Sequence, residues 1–217
     1  MARTRVLVVD DDDFTRSMIV SSLQMQDFDV VSDFSTAAAA MKAAQVLKPD
    51  VALLDLDLGA GPNGIDLALA LRRAIPKIGI VMLTTFEDPR LLSPNMPMLP
   101  EGSLYLIKRE ISKIDKLSKA IDEAISNSKF ISKNDKLVTP PKINFTDNQI
   151  EIMRLVAAGH SNVQIAKIRG INEKSVEQTI SRLAKELDLK SDSDKNLRVH
   201  ISRLFFQLTG AGPSQHA

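Results

Sequence analysis

The chain contains no cysteine, which excludes disulfide frameworks, thiolate metal sites and cysteine nucleophiles together, and removes most support for an extracellular protein. Long apolar runs are missing as well. The amino terminus, MARTRVLVVDDDD, offers only four consecutive apolar residues before an acidic run. That is too few for the apolar core of a secretory signal, and no stretch approaches the ~18 apolar residues of a membrane span. A cytoplasmic protein with no membrane partner is expected. What is present, 44% hydrophobic and 25% charged residues over 217 positions, is the composition of a globular chain of one or two domains.

A net charge of +1 conceals a division. Residues 1–128 carry 14 Lys and Arg against 18 Asp and Glu, whereas residues 129–217 carry 14 against 9. The acidic half suits a cation or a charged small group, and the basic half suits a polyanion.

In the acidic half, short apolar runs alternate with amphipathic stretches. Arg5–Val9, Asp27–Val31, Val51–Leu54, Ile78–Leu83 and Ser103–Ile107 read as strands. Helical patterns lie at Phe14–Met25, Thr36–Leu47 and Ile65–Ala74, and a closing helix at Ile111–Ile125 has Ser112 and Asp115 spaced as a capping box. Strands joined by helices of this length require right-handed crossovers. The expected fold is a doubly wound α/β domain with a five-stranded parallel sheet.

Residues 127–142 (NSKFISKNDKLVTPPK) have four lysines, one acid and a Pro-Pro pair, and read as a linker. Beyond it the punctuation is helical. Thr146 with Gln149, and Ser161 with Gln164, fit capping boxes, and Gly159 stands as a stop between them. Helices are expected at Asp147–Ala158 and Asn162–Ile168, then a third capped by Asn172 that buries Val176, Ile180, Leu183 and Leu187. A fourth, Lys195–Leu208, has Asp194 as its cap and Gly210 near its end. This is an all-α four-helix domain containing a helix-turn-helix.

The chemistry gathers at strand ends. In sheet order 2-1-3-4-5, Asp10 and Asp11 after the first strand adjoin Asp55 after the third. Such carboxylates repel unless a hard cation sits among them, and oxygen-only ligands suit Mg²⁺. Thr84 ends the fourth strand and Lys108 follows the fifth. A carboxylate, a cation site, a hydroxyl and a lysine can together carry and neutralise a phosphoryl group. Singly, each residue reads better as an acidic loop, a strand-end hydroxyl or a solvated charge; the joint placement is what points to chemistry.

VLVVDDDD at 6–13 with Arg16, PDVALLDLDL at 49–58, Gly64, MLTT at 82–85 and YLIK at 105–108 resemble the receiver domain of two-component response regulators, a flavodoxin-like fold. The resemblance implies that Asp55 is the phosphoacceptor. It implies Asp11 as direct Mg²⁺ ligand with Asp10 as its acidic partner, the backbone carbonyl of Asp57 as a further ligand, and Lys108 as the phosphoryl counter-ion. Thr84 and Tyr105, the one tyrosine of the chain, would be the switch pair. Residues 145–187, with AAGHSNVQIA at 157–166 and NEKSVEQTISRLAKEL at 172–187, resemble the LuxR-type helix-turn-helix of the NarL/FixJ group.

The expected organisation is a receiver at 1–126, a linker at 127–142, a DNA-binding domain at 143–210 and a tail at 211–217. The implied function is a transcriptional regulator, not an enzyme, phosphorylated by a sensor histidine kinase, then dimerising and binding double-stranded promoter DNA. Lys174, Ser175, Glu177, Gln178, Ser181, Arg182 and Lys185 form the groove-facing set, with Gln suited to adenine and Arg to guanine or phosphate. The last helix has more apolar residues than one buried stripe needs, so Leu197, Ile201, Phe205 and Phe206 are expected at a dimer contact, and the receiver is expected to pair through its first or fifth helix.

Three departures from the family pattern stand out. Leu58-Gly59 and a Gly/Pro-rich loop replace Met-Pro after the phosphoacceptor, and Asp57 places a charge beside it. Four prolines in 87–100 leave the usual fourth helix short, broken or absent, since each costs ~3 kcal/mol inside a helix. Glu177 and Thr179 stand where the family carries Lys and His; Glu177 can face solvent or accept from a cytosine amino group. Two rival readings are a receiver whose helical tail binds protein or sits on DNA regardless of phosphorylation, and a haloacid-dehalogenase-type phosphatase suggested by Asp55-Leu56-Asp57. The order of the acidic motifs and the lack of a cap domain oppose the latter.

Overall fold

The computed structural model describes residues 3–111, 114–129, 137–187 and 196–211. The chain divides into two units, residues 1–84 with 96–141, and residues 85–95 with 142–217.

In the first unit, β1 (Arg5–Val9), β2 (Asp29–Phe34), β3 (Val51–Leu54), β4 (Gly79–Thr84) and, after a two-residue β5 (Leu99–Pro100), β6 (Leu104–Ile107) are separated by helices. These are α1 (Asp13–Met25), α2 (Ala37–Leu47), α3 (Gly64–Ala74) and α4 (Ile114–Lys129). The five long strands pair in parallel in the order β2-β1-β3-β4-β6, the doubly wound arrangement, with β6 in the fifth strand's place. Every residue of β3 and β4 is buried, as expected of central parallel strands covered on both faces.

The second strand starts at Asp29 and not at Asp27. Asp27 adopts φ +66°, and the amides of Asp27 and Phe28 donate back to the last turn of α1, so these two residues make the turn. The expected cap residue Ser112 lies outside the described residues; α4 runs on to Lys129, beyond Ile125. Ser128 is buried, and its hydroxyl donates to the carbonyls of Ile125 and Lys77. Leu137–Val138 forms β7, antiparallel to β5. Across 85–103 the described backbone has no α-helix, only a 3-10 turn at Pro89–Leu91 capped by Asp88, which is the outcome the prolines dictate.

The second unit contains α5 (Asp147–Ala157), α6 (Asn162–Arg169), α7 (Glu173–Glu186) and α8 (Leu197–Thr209). Both expected capping boxes are formed, by Thr146 with Gln149 and by Ser161 with Gln164. Asn172 caps α7. The last helix is capped by Asn196, whose side chain accepts from the Arg198 amide, so it begins two residues later than Lys195; Asp194 lies outside the described residues. One core joins Ile150, Met153 and Val156 of α5, Ile165 of α6, Val176, Ile180 and Leu183 of α7, and Ile201 and Leu208 of α8, with Leu91 from the 3-10 turn.

Candidate functional site

At the carboxyl ends of β1 and β3 the strand ladder extends one residue further, since the Asp10 amide donates to the Phe34 carbonyl and the Asp55 amide to the Val9 carbonyl. Both side chains are thereby fixed beside each other and are almost fully buried, at 1% and 8% exposure. Carboxylate oxygens of Asp10, Asp11 and Asp55 all lie within 4.8 Å of one another. Lys108, just past β6, reaches in with its Nζ 2.7 Å from Asp10 Oδ2 and 2.6 Å from Asp55 Oδ2.

The aspartate run divides its labour. Asp10 faces the lysine, Asp11 is exposed at the mouth of the cluster, and Asp12 caps α1 by accepting from the Thr15 amide at 2.7 Å. Asp13, in the first turn of α1, pairs with Arg16. Arg16 also donates to the Asp10 carbonyl at 2.8 Å and to Asp33 at 2.8 Å, clamping the chain that presents Asp10. This clamp was not read from the sequence, although Arg16 lies one turn into the amphipathic helix that follows the acidic run.

Asp55 is held from the other side by its own chain, as the Leu56 amide donates to its Oδ1 at 2.6 Å. The start of α3 presses on it. An added Cβ at Gly64 would come within 1.9 Å of the Asp55 carbonyl oxygen, so only glycine allows this approach. Asn63 fixes the helix start through a capping box with Asp66. Asp57 is partly buried, and its side chain accepts from the Gly59 amide at 3.1 Å.

Burial pushes the Asp55 carboxyl above the usual range, opposed by the Lys108 ammonium. Burial, then repulsion from Asp57 and Asp10, raises Asp11 as well. For Lys108, desolvation works downward, but attraction by Asp55 and its hydrogen bonds to both aspartates hold it above its ordinary value. The ammonium therefore remains charged beside Asp55 and Asp11, whose ionisation burial opposes. Among the described residues the pocket's groups able to ligate a metal are carboxylate oxygens, which fits Mg²⁺ in chemistry. Thr84, fully buried at the end of β4, stands in register with Ile107, the residue before Lys108. Tyr105, partly exposed, pairs with Met82 two positions back.

In the second unit, α7 buries Val176, Thr179, Ile180 and Leu183. Lys174, Glu177, Gln178, Ser181, Arg182 and Lys185 are exposed and together line a shallow depression along the opposite face. Ser175 departs from that set, because its amide and hydroxyl both bond the Asn172 side chain at 2.8 and 2.9 Å. Thr179 turns inward, donating to the Ser175 carbonyl and accepting from Asn148. On α8, Ile201 has no exposed surface and belongs to the core of its own unit, so it offers a partner nothing. Leu197 and Phe205 also pack on that core; Phe206 is half-buried and Val199 is 53% exposed. The sequence pattern could not separate these, because apolar residues occupy more than one face of α8.

Residues 6–121 match the model of the response regulator receiver domain, and residues 144–199 that of bacterial regulatory proteins of the luxR family. Similar proteins include the response regulator protein VraR of Staphylococcus saprophyticus, 29% identical over 196 residues and covering 86% of this chain and 91% of that one. The transcriptional regulatory protein LiaR of Bacillus subtilis is 28% identical over 213 residues, covering 92% and 98%. Among solved structures, a two-component response regulator RcsB–DNA complex superimposes with a TM-score of 0.52 at 20% identity, covering 96% of this chain and 100% of that one, a likeness of fold alone. The two sequence relatives are regulators, which counts against the phosphatase alternative. With the receiver model alone spanning more than half of its residues, the chain belongs to the two-component response regulators, in the NarL/FixJ group that joins a receiver to a LuxR-type DNA-binding domain.

Proposed function

We propose that this response regulator is a phosphorylation-dependent transcription factor in which Asp55 receives a phosphoryl group from a sensor histidine kinase. The observation that carries this reading is the Lys108 ammonium bridging Asp10 and Asp55 at 2.7 and 2.6 Å, beside the Asp11 carboxylate. An Asp55 carboxylate oxygen forms the new P–O bond while the P–N bond to the donor imidazole breaks. Lys108 is placed to follow the negative charge from the carboxylates to the phosphoryl oxygens, and the Thr84 hydroxyl to bind one of them. Asp10, Asp11, Asp55 and the Asp57 carbonyl would hold Mg²⁺, which supplies the charge neutralisation that one lysine among several carboxylates does not.

The exposed face of α7 is the surface offered to promoter DNA. Gln178 and Arg182 lie one turn apart there, with Lys174 and Lys185 near its ends. Glu177 on the same face lowers non-specific attraction to phosphates and so leaves more of the affinity to base contacts. For self-association, α1 carries an exposed apolar stripe of Phe14, Met18 and Met25, each more than half exposed. Residues 14, 18 and 25 fall within a narrow arc of the helix, which supports pairing of receivers through this helix. On α8, Val199 is exposed, and Leu197, Phe205 and Phe206 each keep part of their surface.

Intact-mass measurement after incubation with a small phosphodonor and Mg²⁺ tests the central claim. One phosphoryl adduct is expected on the wild-type chain and none on Asp55→Asn. An equal adduct on the variant refutes the assignment. Salt-dependent binding to promoter fragments that does not respond to phosphorylation would instead favour the phosphorylation-independent DNA binder.

A further inference from the structure

Asp11 is the exposed member of the acidic cluster, yet a carboxylate oxygen of it lies within 4.8 Å of those of Asp10 and Asp55. A ligand that reaches a cation from an exposed loop has to be oriented by what surrounds it. Here the backbone is fixed on both sides of Asp11. On the amino side, Nη1 of Arg16 donates to the Asp10 carbonyl at 2.8 Å. That carbonyl shares a planar peptide unit with the Asp11 amide, so the bond sets the orientation of the whole unit. On the carboxyl side, the Asp12 amide donates to Asp10 Oδ1 at 3.1 Å, which sets the next unit. The two backbone dihedrals of Asp11 are therefore held by bonds in which its own carboxylate takes no part.

Arg16 is itself tied to two elements. Its amide donates to the Asp12 carbonyl at 2.9 Å at the start of α1, and Nη2 pairs with Asp13 in the first turn of that helix. Its Nε donates at 2.8 Å to Asp33 Oδ1, near the end of β2. Three different nitrogens of one planar fork are used, a pattern that a single ammonium does not reproduce. The charge, by contrast, works against the site. A cation near the amino end of a helix opposes its dipole, and one close to the carboxylate cluster repels a second cation entering it. What Arg16 contributes to the cluster is geometry.

We propose that Arg16 is a positioning residue for Mg²⁺: by holding the Asp10 carbonyl it keeps the Asp11 backbone in the conformation that presents the Asp11 carboxylate to the cation, while Asp13 and Asp33 hold Arg16 in place. Arg16 touches neither the cation nor the phosphoryl group. The inference rests on the reading that Asp10, Asp11 and Asp55 bind Mg²⁺. Two roles for Arg16 then predict opposite signs. A charge acting through space repels Mg²⁺, so its removal would tighten binding; bonds that orient Asp11 assist Mg²⁺, so their removal weakens it.

Calorimetric titration of the unphosphorylated full chain with Mg²⁺ reads that sign. Arg16→Met should raise the Kd for Mg²⁺ by about 10-fold, the lower end of what outer-shell partners of a metal ligand are worth. Arg16→Lys keeps the charge and loses the fork, so its Kd should fall closer to that of Arg16→Met than to wild type. A merely structural arginine would instead lower Tm in the absence of Mg²⁺ and leave the Kd of the folded chain unchanged. Tighter binding in Arg16→Met, or a wild-type Kd in both variants, overturns the proposal. Should Arg16→Met fail to fold, Arg16→Lys decides, and a wild-type Kd there overturns it. Phosphoryl uptake from acetyl phosphate, scored by intact mass, keeps the two readings apart. Weakened Mg²⁺ binding in the variants without an Asp55 adduct on the wild-type chain supports the clamp and refutes the phosphoacceptor. An adduct with unchanged Kd values refutes the clamp alone. A wild-type chain that binds no Mg²⁺ refutes the metal site and the clamp together.

Discussion

Asp88→Ala should be the most damaging single substitution in the helical unit, although Asp88 lies more than 50 residues before its first helix. The Asp88 side chain is 1% exposed and accepts from the Nε, Nη2 and backbone amide of Arg90 and from the amide of Ile143. Alanine removes all of these bonds at once. Breaking a buried ion pair from one side costs ~3–5 kcal/mol, because the remaining charge keeps its desolvation penalty. Arg90 retains three acceptors, the carbonyls of Ile143 and Phe145 and the Asp147 carboxylate, which draws the estimate toward the lower end. The stranded Ile143 amide adds ~1–3 kcal/mol on its own, and these costs overlap. A net loss of about 3 kcal/mol is expected, and in a unit of this size each kcal/mol moves Tm by ~4–8 °C. Thermal unfolding of the full chain, followed by helical circular dichroism, should show the helical transition falling by about 12–24 °C while the receiver transition stays in place. Asp88→Asn keeps one acceptor oxygen and should lose less than half as much. A helical transition within about 4 °C of wild type would show that the network contributes no more than an ordinary surface pair.

Gly64→Ala should abolish phosphoryl uptake without unfolding the sheet, since its Cβ would meet the Asp55 carbonyl at 1.9 Å and drive the loop and α3 apart; uptake near wild type by intact mass would contradict this. Mg²⁺ should raise the Tm of the receiver in wild type and not in Asp11→Asn. Because Asp11 and Asp55 are held above the usual carboxylate range, and cation binding needs them ionised, the Tm shift should be smaller at about pH 5 than at about pH 7.5; an equal shift at both would oppose the assignment. Arg182→Ala should cost ~1–3 kcal/mol of operator affinity with relaxed preference at one base pair if it reads guanine, or flatten the salt slope by about one unit if it holds phosphate. Glu177→Ala should raise non-specific affinity in the same titration. An operator profile unchanged for both Gln178→Ala and Arg182→Ala would show that the wrong face of α7 had been chosen.

The strands and helices of the receiver were legible because parallel strands buried on both faces read as unbroken apolar runs, and the chemistry of such folds gathers at their carboxyl ends. Asp10, Asp11, Asp55 and Lys108 could therefore be expected around one pocket from their positions in the chain, and their side chains do meet there. The capping boxes at Thr146 and Ser161 were equally plain, since both hydrogen bonds join residues three apart. Local signals failed where local choices compete. Ser175 and Lys174 are consecutive polar residues on α7, but one is drawn back to the Asn172 cap and the other faces outward.

What the sequence alone determined is what is written within a few residues: the capping boxes, strand runs, the acidic run Asp10–Asp13 and the impossibility of a regular helix through four prolines. It could say that residues 87–100 would not be helical, and nothing in them said where they would go. Only the tertiary structure decided that Asp88 and Arg90 would tie to Ile143, Phe145 and Asp147, and that Thr85 would rest against Gly210. The physical reason is range. A capping box or a helix face is specified by spacing along the chain, whereas hydrogen bonds between residues more than 50 positions apart, such as those from Arg90 to Phe145 and from Ile143 to Asp88, depend on which surfaces the finished elements leave to be filled. The same holds for α8, where composition announces an excess of apolar side chains and packing alone assigns Ile201 to the core and Val199 to the surface.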